Sequence, residues 1–539
     1  MELAEAGSKE LDIVFRNARI VDGSGNPYFV GDVGVRKGEI AFVSHGRTHG
    51  IRSGARLTLD CSGLILCPGF IDIHNHSDAA IFVHPEALNY VTQGVTTLVV
   101  GNCGSSAAPI GVDESLETGF SNNFEGIKKW RSFGAYLDEL DKLPKSVNIC
   151  TLIGHGQVRK AVLGLTDRAP GEEELARMKD HIREAMASGA FGLSTGLIYS
   201  PGMYASAAEI TELARVAAEF GGLYCTHLRS EADLEIDAVM EAIQIGRMTG
   251  CRVQIAHLKA SGKRNWGTVR TVLDIMEYAR RLGVEVTCDV YPFAPSGASL
   301  FILFPGWARS RGKDGLLELL KDAETRDRIR SELQRPAFDW ENIYFDAGPD
   351  GLMITLSRVH PEYQGKTLSE VARIRGENPL DAVLSLAEED IDMSMVAGGM
   401  SEDDNRAALA HRLSMVSSDS SVTEFGSGMP HPRAYCAFTR VISRFVRDEA
   451  LLTLEQAVHK MTGFPAWKLG LADRGAIRPG ARADIVVFDF WKMKDTSDFG
   501  DPHHYSEGVV HLLVNGEFVV KDGKPTGSMP GQLLRHRSS

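Results

Sequence analysis

Apolar, strand-like runs alternate with amphipathic helical stretches through the middle of this chain. The runs begin near Phe70, Val95, Val147, Phe191, Gly222, Val253, Val284 and Met415, and helical periodicity fills 172–188, 207–220, 232–249 and 269–282 between them. Eight such units in order leave few architectures open. Parallel strands, each followed by a helix, close into a (β/α)8 TIM-like barrel, an α/β fold whose functional side chains gather at the C-terminal ends of the strands.

The two ends of the chain read differently, as short strands joined by turns. Near the start these are Leu11-Asp12-Ile13-Val14-Phe15, Asp32-Val33-Gly34-Val35 and Glu39-Ile40-Ala41-Phe42-Val43; near the end, Ala483-Asp484-Ile485-Val486-Val487-Phe488 and Val509-Val510-His511-Leu512-Leu513-Val514 before the turn Asn515-Gly516. We therefore expect one small β-sandwich domain built from 1–67 and 470–539 around a catalytic barrel of 68–469. The stretch 297–350 is helical, charged and too long for a plain strand-to-helix loop, so it is expected to be an insertion or lid.

Composition excludes several classes. A formal net charge of -13 gives no general attraction to nucleic acid or to an anionic membrane. No run of about 18 apolar residues is present. The start, Met1-Glu2-Leu3-Ala4-Glu5, is acidic and has no secretory apolar core. The eight cysteines, Cys61, Cys67, Cys103, Cys150, Cys225, Cys251, Cys288 and Cys436, lack CxxC spacing and read as reduced thiols of a cytoplasmic protein.

The barrel reading gives certain polar residues a meaning. In Asp72-Ile73-His74-Asn75-His76, alternation turns His74 and His76 to the same side at the end of the first strand. His227 ends Leu223-Tyr224-Cys225-Thr226, His257 ends Val253-Gln254-Ile255-Ala256, and Asp419 ends Met415-Val416-Ser417-Ser418. Four imidazoles and a carboxylate, each at the mouth end of a strand, suit Zn²⁺ better than they suit packing. Cys103 lies just past the second strand between Gly101 and Gly104, where a thiolate can serve as a further ligand. Lys259, two residues beyond His257, and Arg433, in the loop after Asp419, are candidate cationic partners for a substrate carboxylate.

Taken together, His74-Asn75-His76-Ser77-Asp78, Gly101-Asn102-Cys103-Gly104, Thr226-His227-Leu228-Arg229, Ala256-His257-Leu258-Lys259, Ser418-Asp419 and His431-Pro432-Arg433 resemble the D-aminoacylase (N-acyl-D-amino-acid deacylase) branch of the amidohydrolase superfamily. The resemblance runs in order through nearly the whole chain and includes Gly192-Leu193-Ser194-Thr195-Gly196-Leu197-Ile198-Tyr199. It implies one tightly bound zinc on Cys103, His227 and His257. It also implies a second, weaker or vacant position lined by His74, His76 and Asp419, with Cys103 able to bridge in place of the carboxylated lysine of many superfamily members.

On this reading the reaction is zinc-dependent hydrolysis of the amide of an N-acylated amino acid, a small-molecule substrate. Asp419 is the expected catalytic general base. Tyr199 fits the family's further carboxylate contact, and His155 and Asp78 are weaker candidates near the mouth. Where the family carries a Gly-Ser pair after Tyr-Pro, this chain has Tyr291-Pro292-Phe293-Ala294-Pro295-Ser296-Gly297 with the order reversed, and Ser296 is carried as a substrate contact. The segment 292–307 holds no Arg or Lys, and its run Leu300-Phe301-Ile302-Leu303-Phe304 points to a neutral or hydrophobic substrate side chain. Two rivals stand beside this: a hydrolase of cyclic amides, hydantoins or lactams, and a barrel retained as a non-catalytic scaffold. The sequence leaves the oligomeric state open.

Overall fold

The computed structural model describes residues 10–46, 55–111 and 130–537, so the acidic start read above lies outside the described residues. The barrel strands are Phe70–Asp72, Val95–Val100, Asn148–Thr151 continued by Ile153–Gly154, Gly192–Gly196, Leu223–His227, Arg252–Ile255, Val286–Val290 and Ser414–Val416. Each pairs in parallel with the next. Closure between the eighth strand and the first is short: a parallel bridge joins Asn75 to Ser420, Asp419 N–H donates to the His74 carbonyl at 3.0 Å, and His76 N–H donates to the Ser420 carbonyl at 2.8 Å. The seam that closes the barrel therefore sets His74, His76 and Asp419 side by side.

Burial explains the strands. Every residue of Val95–Val100 is buried, as a strand covered on both faces requires. The helices carry one apolar stripe each: Met178, Ile182, Ala185 and Met186 in Glu172–Ser188, and Val269, Val272, Leu273, Met276 and Ala279 in Thr268–Arg281. Three glutamates occupy the first turn of Glu172–Ser188, where the helix dipole favours negative charge.

Both ends of the chain enter one nine-stranded sheet. Its junction is the antiparallel pairing of Ile65–Pro68 with Ile485–Phe488, and its core mixes Ile13, Phe15, Val33 and Leu66 with Ile485, Val487 and Leu513. The last residues leave that sheet. Pro530 and Leu533 bridge to Lys145 and Ile149 at the start of the third barrel strand.

Between the seventh and eighth barrel strands lies an inserted unit with its own antiparallel sheet of Ser296–Ser299, Ser394–Ala397 and Leu352–Leu356. Its apolar core, including Leu300, Leu303, Phe304, Leu316, Leu384 and Met395, is separate from that of the barrel. The unit thus runs on to Ala397, beyond the 297–350 expected from charge and length. Its helices Leu368–Arg375 and Pro379–Glu389 bury the same kind of stripe as the barrel helices, so periodicity alone does not mark them as part of the insertion.

Candidate metal centre and substrate pocket

Cys103 is the centre of the site. Its Sγ lies 3.3 Å from His74 Nε2, 3.4 Å from His257 Nε2 and 3.7 Å from His227 Nδ1. Two overlapping sets of buried donor atoms result, Cys103–His227–His257 and His74–His76–Cys103–Asp419. Burial opposes ionisation of the thiol, but the imidazoles of His74 and His257 outweigh it and hold the thiol well below its usual range. A thiolate among imidazoles and one carboxylate is the donor chemistry of a zinc centre, so the residues present fit such an ion.

The backbone at this centre is strained. Cys103, His257 and Asp419 all adopt positive φ, 52°, 34° and 47°. Such conformations are costly for residues with a side chain and persist where surrounding structure enforces them, which is characteristic of functional sites. Gly104 shows the enforcement: at φ +73°, a Cβ there would stand 2.7 Å from the Gly196 amide nitrogen. The Gly104 N–H in turn donates to Ser194 Oγ at 3.1 Å.

Asp419 joins the two halves of the site. Oδ1 is 3.3 Å from His74 Nε2 and 3.1 Å from His76 Nε2, while Oδ2 is 2.8 Å from Arg433 Nη1. Burial would raise its pKa, but Arg433, His257 and His74 hold the carboxyl well below the ordinary range. Arg433 stacks on the Tyr291 ring with its guanidinium carbon 4.4 Å from the centroid. Beside these groups opens a cavity of about 290 Å³. His76, Tyr199, Asp419 and Arg433 line it from the barrel, and Phe301, Ile302 and Met395 from the inserted unit.

Comparison with known proteins places this geometry in a family. A sequence profile described as "Amidohydrolase family" matches residues 57–520. The chain is 35% identical over 532 residues, 98% of either chain, to N-acyl-D-glutamate deacylase of Alcaligenes xylosoxydans xylosoxydans, and 34% identical over 538 residues, 99% of either chain, to D-aminoacylase of the same organism. The chain belongs to the amidohydrolase family, in its D-aminoacylase branch. Among solved structures, N-acyl-D-glutamate deacylase from Bordetella bronchiseptica, complexed with zinc and a phosphonate inhibitor, superposes with a TM-score of 0.84 at 35% identity, covering 98% of this chain and all of that one. An L-hydantoinase from Arthrobacter aurescens reaches a TM-score of 0.58 at 16% identity over 98% of this chain and all of that one, and shares the fold.

In this amidohydrolase, three residues read from sequence as near the substrate have partners within the protein and are not among the side chains lining the cavity. Lys259 does not line the cavity: Nζ donates to both oxygens of Glu231, at 2.7 and 2.8 Å, and lies 2.7 Å from His257 Nδ1. The strand ends at Ile255 and His257 takes a left-handed conformation, so strand alternation no longer fixes which way Lys259 points. Ser296 Oγ donates to the Ala397 carbonyl at 3.4 Å within the inserted sheet, and Gly297 is the residue facing Arg433 Nη2, 3.2 Å from where a Cβ would stand. His155 Nε2 pairs with Glu209 at 2.9 Å, deep in the protein. Tyr199 is brought to the cavity, its hydroxyl 3.4 Å from His227 Nδ1. Burial raises the Asp78 carboxyl to about 6.

Sequence reasoning missed the carboxylates behind the donor atoms. Asp289 accepts from the His257 N–H at 3.0 Å, from Gln254 Nε2 at 2.9 Å and from Ser417 Oγ at 2.8 Å, and lies 3.3 Å from His74 Nδ1. Glu231 lies 2.9 Å from His257 Nδ1. Such carboxylates orient imidazoles and raise their basicity. Asp72 accepts from the Ser418 N–H at 2.9 Å, tying the first strand to the segment that carries Asp419. The signal was present: a lone aspartate inside an apolar strand, as in Val286–Val290 or Phe70–Asp72, needs a buried partner.

Proposed function

We propose that this amidohydrolase cleaves the amide bond of N-acyl-D-amino acids, releasing a carboxylic acid and a free D-amino acid. One observation carries the reading: the Cys103 thiol sits 3.3 to 3.7 Å from three imidazole nitrogens, next to an Asp419 carboxylate already paired with a buried arginine. Cys103, His227 and His257 would hold one tightly bound zinc, and His74, His76 and Asp419 a second, weaker one. Zinc bound there would supply Lewis-acid polarisation of the acyl carbonyl and an acidified water.

The chain's own residues do the rest. Asp419, kept ionised by Arg433 and the histidines, takes the proton of the attacking water and returns it to the departing nitrogen, which must leave as an amine. Arg433 uses Nη1 on Asp419 and keeps its remaining edge toward Gly297 for the substrate α-carboxylate, so the base and the carboxylate anchor are fixed relative to each other. Tyr199 stands on the cavity wall beside His227, within reach of the acyl carbonyl. Phe301, Ile302 and Met395 give the cavity an apolar wall on the side of the inserted unit. All eight cysteines are free, which suits a reducing, cytoplasmic setting.

The test is a paired panel of N-acetyl-D- and N-acetyl-L-amino acids given to zinc-loaded protein, with hydantoins and lactams alongside. D-selective release of acetate is expected. Turnover of the cyclic amides with none of the open ones would overturn the reading.

A further inference from the structure

The outer layer of the barrel has one apolar face that nothing in the chain covers. The helix Glu235–Thr249 buries Ala238, Val239, Ala242, Ile243 and Ile245 against the barrel. Its outward side, where a surface helix normally carries polar groups, presents Ile236, Met240 and Met248, which are 40%, 51% and 52% exposed. With the exposed Gln244 they make one row at a spacing of four, the ridge most used when helices pack on one another. Leu234, just before this helix, is exposed as well, and so are Tyr278 and Leu282 on and just after the neighbouring helix Thr268–Arg281. Six of the seventeen large apolar side chains exposed among the described residues therefore belong to two adjacent helices. Single exposed apolar residues need no explanation, but a shared patch marks a contact surface.

The charges on this face say what covers it. Asp237 and Arg247 flank the apolar row; both are exposed, and neither forms an ion pair among the described residues. They stand five residues before and five after Ala242, Met240 and Gln244 two on either side, and Ile236 and Met248 six. The face is thus symmetric about Ala242 in its apolar groups and opposite in its charges. A two-fold axis level with Ala242 lays the helix antiparallel on its own copy. It sets Met240 beside Gln244 of the partner subunit and Asp237 level with Arg247 of the partner subunit. A partner surface of one sign would repel either Asp237 or Arg247; a second copy meets each with its opposite. This is the self-complementarity an isologous contact requires. The balance matters because the chain carries a formal net charge of -13, so two copies repel as wholes and are held only where charge is locally matched.

We propose that this face binds a second copy of the chain, making the protein a two-fold homodimer joined through Glu235–Thr249. A stable interface takes about 800 Å² from each copy, more than one helical row supplies, so Tyr278 and Leu282 on the neighbouring helix belong to it. The proposal does not depend on the reaction, and failure of either leaves the other standing.

The experiment measures the mass of the full-length, zinc-loaded protein by sedimentation velocity over a dilution series. We expect a dimer that dissociates on dilution. Met240→Lys, which places an ammonium at the centre of the contact, should give a monomer. Asp237→Arg and Arg247→Asp should each raise the dimer dissociation constant by about tenfold or more, the scale of a like-charge meeting across an interface, and combining the two should restore the dimer. Circular dichroism and zinc content confirm that each variant is folded. Should the charge variants not fold, Met240→Cys/Gln244→Cys gives a second readout. All eight native cysteines are buried, so mild oxidation with diamide should link two copies through the introduced thiols and double the mass on a non-reducing gel. A wild type that is monomeric throughout, alone or bound to a different protein, overturns the proposal. So does a dimer that survives Met240→Lys, a folded double charge variant that stays as weak as the single ones, or a folded double-cysteine protein that does not cross-link.

Discussion

The Lys259 ammonium faces both carboxylate oxygens of Glu231, Nζ to Oε1 at 2.7 Å and to Oε2 at 2.8 Å. Both side chains are 5% exposed, and Glu231 also reaches His257 Nδ1. Burial would raise the Glu231 carboxyl, but His227, Lys259 and His257 bring it to about 2, so the pair is ionised at neutral pH. This is a support built behind the donor atoms.

Lys259→Met should therefore cost stability before it affects substrate binding. It leaves a buried carboxylate without its cation, a loss of about 3–5 kcal/mol. Adding Glu231→Gln should restore part of it, because the stranded charge is then gone. Thermal unfolding of the two single variants and the double variant measures the coupling. A Lys259→Met protein of unchanged stability whose sole defect is a raised KM would instead make Lys259 a substrate contact.

Much of this site is legible in the sequence, and the limits have physical causes. His74, His76, His227, His257 and Asp419 can be found because barrel strands deliver the residues at and just past their ends to one mouth. Cys103 is legible through its flanking glycines, which a left-handed loop requires. The directions of Lys259 and Ser296 are not legible in sequence, because residue order does not give side-chain direction once regular structure stops or a new sheet begins. The extent of the inserted unit is hidden by helices that share the barrel's own period.

Asp419→Asn should retain the fold while lowering kcat by about 10²–10⁴-fold, the range for loss of a general base. The amide still fills the space between His76 and Arg433 but accepts no proton. Steady-state kinetics with zinc content measured on the same sample checks this. Full turnover by a zinc-loaded variant would remove Asp419 from the chemistry.

Glu341 gives a pH-dependent prediction. Burial and the neighbouring Glu231 push its carboxyl up from 4.5 to about 8. Between those values the folded protein keeps a proton that the unfolded chain releases, so this group's contribution to stability falls as pH rises from 4.5 to 8. Glu341→Gln removes that loss, and relative to wild type it should gain on the order of 1–3 kcal/mol between pH 5 and pH 8. Urea midpoints of both zinc-loaded proteins at the two pH values test it; a difference independent of pH would show that Glu341 titrates normally.

Gly104→Ala should cost about 1–3 kcal/mol and weaken metal retention, because the added methyl meets the Gly196 backbone and pushes on the loop that carries Cys103. Thermal unfolding with and without a chelator reads both effects. A variant as stable as wild type in both conditions would mean the loop adjusts freely.

The central claim is that Cys103, His227 and His257 converge to grip a zinc ion. The most direct measurement is the zinc content of purified Cys103→Ala protein by elemental analysis, next to its turnover of an N-acetyl-D-amino acid. The account predicts a folded protein with little or no zinc after dialysis and almost no activity; wild-type zinc content with wild-type turnover would contradict it.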